Sequence, residues 1–419
     1  MKVLFLSQPM GLGGLETLTL RLAQHPGEHQ FYFLIGEQKI KNALSEALKK
    51  AAPDLIDDVK LLKIIFFIDR NRKLKNRFKK MSLNEVDVIY SFNIEGFLQA
   101  HYLKQHYFKN AKLVTGVYHP TAYAWHSRYS SYLQKISLRL LQETPKENII
   151  FMSKPVADSH HRLMQLDFSS SPICPLMVDV RRFNAVQRSP RAFKIISIGR
   201  ICDFKTYNFT MLDVVKRLHE IDSRFEYHIY GHGKQEAHLQ KMISEKALEE
   251  FVFFHGPVEY ADFPKVLEDA YVFVGCGTAM IEAAAAHVPA IVACCGEPEK
   301  AVSYGWFHAS NDYNLGEHNL LKQKHAIFDF IFALSQSEPQ IYEEYAALSK
   351  AKADEFSIDV IMDQFVQYLD TARPTLTKVS FFELFRVYSS IVWNRFKEKL
   401  RFYSPYAKRF AMIDPKSGQ

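Results

Sequence analysis

Apolar positions in this chain come in short runs separated by amphipathic stretches, beginning with KVLFLS, a glycine-rich turn, LETLTLRLAQH and QFYFLIG. That order predicts strand, turn, helix and strand within residues 1–36, a βαβ unit. Further strands are expected at DVIYSF (Asp87–Phe92), KLVTGVYH (Lys112–His119) and NIIFMS (Asn148–Ser153), with helical patterns between them. From Ser169 to Arg191 neither period holds and Ser, Pro and charge dominate, which marks a crossing between domains. A second alternating series follows, FKIISIGR, FEYHIYGHG, FVFFHG, AYVFVG and PAIVACCG, again with helix-like segments between.

Two such series predict an α/β chain of two doubly wound, Rossmann-like domains facing each other across a cleft, residues 1–180 and 190–370. A helical tail over 371–419 completes the expectation. Tyr271–Cys295 has the length of a membrane span, but Gly275, Gly277, Glu282, His287 and Pro289 interrupt it, so it reads as strand, helix, strand.

Composition narrows the picture in three places. With 419 residues, 47% of them hydrophobic, the chain has the material for more than one core and not the makeup of a disordered protein. A net charge of +7 favours anionic partners: nucleic acid, phosphorylated metabolites or an acidic membrane surface. Five cysteines with no CxxC pair suit reduced thiols, and the four-residue apolar run at the N-terminus is too short for a signal-peptide core, so a cytoplasmic protein is expected.

Candidate chemistry gathers at strand ends. Met10–Glu16 puts Gly11, Gly13 and Gly14 between a strand and a helix, where backbone N–H groups can approach a ligand. A dinucleotide fingerprint would need glycine at Glu16, although Glu37 stands where a ribose-binding acid would. Arg200 and Lys205 bracket the loop after FKIISIG, a charge pair suited to a diphosphate, though a solvated basic loop explains the spacing equally. Gly231 and Gly233 close the next strand, and Val258 follows the one after. In GTAMIEAAAAHVPAIV a single acid, Glu282, interrupts an apolar run, and an unpaired buried carboxylate there would cost several kcal/mol. If Thr278 opens the helix, Glu282 lies one turn in, on the face of Thr278 and Ala279. His160-His161 lacks further metal-ligand partners and reads as ordinary helix surface.

The ordered set SIGR…K, IYGHG, VFFHGPV and GTAMIEAAAAHVPAIV resembles the C-terminal domain of retaining GT-B glycosyltransferases of family 4. GLGGLETLTLRLA resembles that family's glycine loop and PLMVDVRRF its linker, so the likeness runs from Met1 to about Asp370. The resemblance implies transfer of a sugar from a nucleoside-diphosphate sugar with retention of configuration. It assigns Arg200 and Lys205 to the donor diphosphate and Glu282 to the ribose hydroxyls. Gly13 and Gly14 would line the donor cleft, Gly231, Gly233, Val258, Thr278 and Ala279 would contact the donor, and His119 would lie near the transferred sugar. One departure stands out: the family's second glutamate, eight positions before Glu282, is replaced by Val274. No Asp-x-Asp motif occurs, so no metal and no tightly held cofactor are expected.

Two basic, aromatic segments bear on the acceptor. Leu61–Lys80 sets IIFFI beside Arg70, Arg72, Lys73 and further cations. In the tail, Phe381, Phe385, Tyr388, Val392, Phe396, Leu400 and Tyr403 recur at helical spacing with Arg386, Arg395 and Trp393 among them. Either a packed helix or a face on an anionic membrane produces that pattern, and the charge favours the membrane. The resulting expectation is a cytoplasmic enzyme, peripheral at the inner face of the membrane, acting on a lipid-linked or cell-surface glycan such as lipopolysaccharide or capsule. Nucleic acid has only the net charge behind it and is not expected as a partner. The alternatives are a nucleotide-binding GT-B scaffold without activity and, on the first glycine loop, a dinucleotide-dependent oxidoreductase.

Overall fold

The computed structural model describes residues 1–7, 14–36, 43–59, 68–81, 83–123, 131–191, 193–317 and 322–399. The chain forms two compact units, Met1–Pro175 together with Met362–Gln419, and Leu176–Ile361.

The first unit is built on a parallel sheet of β1 (Lys2–Ser7), β2 (Gln30–Gly36), β3 (Ile56–Val59), β4 (Val88–Ser91), β5 (Lys112–Val117) and β6 (Ile149–Phe151), in the order β3-β2-β1-β4-β5-β6. Covered on both faces, its central strands are apolar along their length: Val3 to Leu6 are fully buried. Local chemistry fixes where the helices start. Asn93 caps Ile94–His106 by accepting from Gly96 N at 2.8 Å. Ser153 caps Lys154–Met164, with Pro155 at the first turn where its missing N–H is not needed.

The second unit carries β7 (Lys194–Ile198), β8 (Glu226–Tyr230), β9 (Val252–Gly256), β10 (Val272–Gly275), β11 (Ala290–Ala293), β12 (Val302–Trp306) and β13 (His325–Ala326), ordered β13-β12-β11-β10-β7-β8-β9. β7 to β11 are parallel, while β12 and β13 run antiparallel at one edge. The strands β3, β12 and β13 are additional to those expected from the sequence.

Helix Ile358–Asp370 leads back to the first unit, where Phe365 packs edge-on to Tyr90 at 5.3 Å. The segment beyond it is tied down by side chains that bond its backbone: Asn148 exchanges 2.8 Å bonds with Arg373 N and O, and His101 Nδ1 meets Thr377 O at 3.2 Å. Ser380 and Glu383 then form a reciprocal cap, with Glu383 N on Ser380 Oγ and Ser380 N on Glu383 Oε2, opening helix Phe381–Lys399. Leu384 and Val387 bury their side chains, Glu383 pairs with Arg139 at 2.7 Å, and Arg386 stacks on Tyr132.

His160 corrects the sequence reading. It is fully buried, its Nε2 accepts from Tyr123 N, and burial lowers its pKa to about 4. Its neighbour His161 lies at the surface as expected.

Candidate functional site

In a doubly wound sheet, ligands bind beyond the carboxyl ends of the strands where the strand order reverses. In the second unit that point lies between β7 and β10, which are hydrogen-bonded neighbours although far apart in sequence. The loop after β7 carries Arg200 and Lys205, and the turn after β10 leads into Thr278, Ala279 and Glu282.

Gly277 makes that turn possible. Its φ of +75° lies in the left-handed region, where a β-carbon is disfavoured, and its N–H donates to Leu315 O at 2.7 Å. Thr278 begins the helix, which runs to Ala285, and Glu282 is 2% exposed one turn in. The first amides of this helix have no intrahelical acceptor and present partial positive charge at the strand ends.

Arg200 is exposed and Lys205 half-buried. Gly199 leaves room for lysine: a β-carbon at 199 would stand 2.6 Å from Lys205 Nζ. Gly231 and Gly233, expected to admit a ligand, serve the neighbouring backbone. A β-carbon at 231 would lie 1.8 Å from Gly199 O, and one at 233 would lie 2.0 Å from Ile201 O. The loops after β7 and β8 are therefore docked main chain to main chain, with Gly199 N on Tyr230 O and Ile201 N on His232 O. Val258, half-buried, follows Gly256 and Pro257 beyond β9.

Val274 is fully buried inside β10, and its carbonyl accepts from Ser197 Oγ at 2.6 Å. The position eight residues before Glu282 is thus part of the strand core.

Three features of this region were invisible in the sequence. Cys276 and Cys295, on neighbouring strand ends, bring their sulfurs to 3.2 Å. Segment Leu315–Glu317 closes over them, with Cys295 N donating to Gly316 O. Glu317 keeps part of its surface exposed while burial of its carboxyl raises its pKa to about 8. None of these contacts follows from sequence spacing; they need the strand order.

In the first unit, His119 follows β5 and Gly14 opens the helix after β1. His119 Nδ1 accepts from Thr121 N at 3.2 Å, which puts the ring proton on Nε2. Gly13, Glu37 and Leu61–Phe67 lie outside the described residues. Arg70, Arg72 and Lys73 fall on helix Ile68–Lys80, which buries Leu74 and Phe78 and leaves Lys75, Lys79 and Lys80 exposed. Arg386 and Trp393 are exposed on helix Phe381–Lys399, which also carries Arg395. Among the described residues, no helix is long and apolar enough to cross a membrane.

A separate concavity of about 570 Å³ lies at the β12–β13 edge, lined by Trp306, His325, Phe330 and Tyr345 among others. It is removed from the switch point and contains none of the candidate residues.

The two doubly wound sheets, one parallel and one parallel from β7 to β11, place the chain in the GT-B fold, as solved structures show. Anabaena HepE in complex with UDP and glucose aligns with TM-score 0.63 at 14% identity, over 88% of this chain and 100% of that one. A variant of S. aureus TarM in complex with fondaparinux, alpha-GlcNAc-glycerol and UDP aligns with TM-score 0.61 at 14% identity, over 88% and 100%. The lipopolysaccharide outer core galactosyltransferase WaaB, in its apo form, gives 0.53 at 15%, over 88% and 99%. At these identities the likeness carries the fold alone. The sequence itself is similar over residues 181–306, the region from before β7 through β12, to the family of glycosyl transferases group 1. No curated protein matches the chain.

Proposed function

We propose that the chain is a retaining GT-B glycosyltransferase of the family 4 type, moving a hexose from a nucleoside-diphosphate sugar to a lipid-linked or cell-surface glycan. The observation that carries this reading is the junction of two elements at one switch point: Arg200 and Lys205 after β7, and the helix bearing buried Glu282 after β10. A diphosphate seated there would meet two side-chain cations and the first amides of Thr278–Ala285. Glu282, 2% exposed, would accept from the vicinal ribose hydroxyls.

Chemically, the residues would orient the donor and stabilise the diphosphate as its bond to the anomeric carbon breaks. Lys205 and Arg200 supply the compensating charge, so we assign the leaving group to side chains and expect no metal. His119, with its proton on Nε2, would serve as a hydrogen-bond donor to the sugar.

Helix Phe381–Lys399 supports peripheral contact with an anionic inner leaflet. Phe381, Phe382, Phe385 and Trp393 are 61%, 65%, 48% and 55% exposed, with Arg386 exposed beside them. Each basic side chain near such a surface contributes about 1 kcal/mol.

Purified protein incubated with UDP-, GDP- and ADP-sugars tests the donor assignment, with UDP first because HepE and TarM were solved with it. Nucleoside diphosphate release with one donor, reduced at least tenfold in both Arg200→Ala and Glu282→Ala, is the expected result. Binding without release in the presence of acceptors would favour the scaffold reading. No binding of any nucleotide sugar would overturn the assignment of this site.

A further inference from the structure

The two thiols beside the switch point have no part in the transfer reaction, yet their setting is specific. Cys276 is the last residue before Gly277, and Cys295 lies two residues beyond β11. Their sulfurs stand 3.2 Å apart, Tyr207 Oη lies 3.9 Å from Cys276, and Gly316 covers them. A β-carbon at Gly316 would sit 2.5 Å from Cys276 Cβ, so the cover is as close as glycine permits. Each cysteine retains a sliver of exposed surface, 5% and 7%.

We propose that Cys276 and Cys295 are an oxidisable pair, converted by hydrogen peroxide into a disulfide that disables the nucleotide site at the adjoining helix start. The chemistry needs no other reactant. The Cys276 thiolate attacks one peroxide oxygen, forming a sulfenic acid and expelling hydroxide. Cys295 sulfur then attacks that sulfenic sulfur, the S–O bond breaks, and the expelled hydroxide takes up the Cys295 proton, so two thiols and one peroxide give one disulfide and two waters.

The environment assigns the roles. The hydrogen bond from Cys295 and the Lys205 ammonium hold Cys276 below the ordinary thiol pKa, and the same hydrogen bond and burial push Cys295 well up. Cys276 is therefore the attacking thiolate and Cys295 the resolving thiol. Among the other three cysteines, burial pushes Cys174 and Cys294 up to about 12 and raises Cys202.

Closing the bond draws the sulfurs from 3.2 Å to about 2.05 Å. The movement falls on the residue preceding Gly277, whose N–H is anchored on Leu315 O and which starts the Glu282 helix. It also removes the thiolate that partners Lys205. Loss of nucleotide affinity thus rests on the donor reading above, whereas formation of the disulfide does not.

The test uses the full chain, reduced and then treated with excess hydrogen peroxide. Peptide mapping by mass spectrometry and a thiol titration under denaturing conditions report the bond, and calorimetry with UDP reports the site. We expect loss of two of the five thiols, a single linked peptide joining Cys276 to Cys295, and at least tenfold weaker UDP binding that dithiothreitol restores. Cys295→Ala should yield no linked peptide. An unchanged thiol titre, linkage through other cysteines, or a 276–295 bond that leaves UDP affinity intact overturns the proposal. Reduced protein that binds no nucleotide, yet forms the bond, refutes the donor reading and leaves the oxidisable pair standing.

Discussion

Gly231→Ala tests the claim that the glycines after β8 exist for the neighbouring loop. The added methyl would begin 1.8 Å from Gly199 O and 3.0 Å from Gly199 C, both main-chain atoms. Carbon contacts are comfortable near about 3.5 Å, so the two loops must part by about 1.5 Å. The bonds holding them, Gly199 N to Tyr230 O at 2.9 Å and Gly231 N to Gly256 O at 2.7 Å, do not survive such an opening unchanged. Losing one or two contributes about 1 kcal/mol each, and forced overpacking contributes about 1–3 kcal/mol, so we expect about 2–5 kcal/mol of destabilisation. For a domain of this size that is a fall of roughly 4–20 °C in Tm.

Gly256→Ala is the matched control. Its φ is +73°, but no atom lies within 4 Å of an added β-carbon, so only the left-handed backbone penalty of about 1–2 kcal/mol applies. Because Arg200 directly follows Gly199, Gly231→Ala should also weaken UDP binding beyond the control. The assay is thermal unfolding of both variants alongside calorimetry. A Gly231→Ala melting temperature within about 2 °C of the parent, or no lower than that of Gly256→Ala, would refute the packing argument.

Three further outcomes are expected. Burial lowers His101, like His160, to a pKa of about 4, with Arg139 and Lys104 adding to the effect at His101. The unfolded chain binds these protons first, so each ring's contribution is complete above about pH 6.5 and lost as pH falls toward about 4; denaturant midpoints measured across that window should decline less steeply in His101→Gln. Lys194 Nζ, on a side chain 9% exposed, meets both Asp269 oxygens at 2.7 and 2.8 Å, so Asp269→Ala strands a buried cation and should cost about 1–3 kcal/mol in urea unfolding. Replacing Phe381, Phe385 and Trp393 by Ser should lower co-sedimentation with anionic vesicles; equal co-sedimentation would remove the membrane role of this helix.

What could be read from the sequence follows from what parallel strands require. Strands buried on both faces are continuous apolar runs, so KVLFLS, KIISI and AIVA were visible without a partner. The edge strands β12 and β13 were not, because Ser303 and Gly305 interrupt the apolar run of one and the other is two residues long. Glu282 was legible because a lone acid in an apolar run demands a partner. His160 was misread because a paired histidine on an amphipathic segment does not say which ring turns inward; Tyr123 N and Val156 O settle it in the fold. The glycines after β8 were seen, but their neighbour was not, since the approach of Gly199 is a property of strand pairing.

The same distinction explains why the candidate site has two layers. Its outer layer, Arg200 and Lys205 on the loop after β7 and Thr278 and Glu282 on the helix after β10, has residue types that announce charge and helix start. Beneath it sits a layer with no linear signature: Ser197 Oγ bonded to Val274 O and accepting from Tyr227 Oη, Cys276 against Cys295, and Leu315 O holding Gly277 N. These contacts fix the strand ends relative to one another, and with them the distance between the β7 loop and the Thr278 helix. A ligand that bridges those two elements is sensitive to displacements of about 1 Å. Changes in the hidden layer, a bond between two sulfurs or a methyl at residue 231, should therefore act on nucleotide binding as strongly as loss of a side chain that touches the nucleotide.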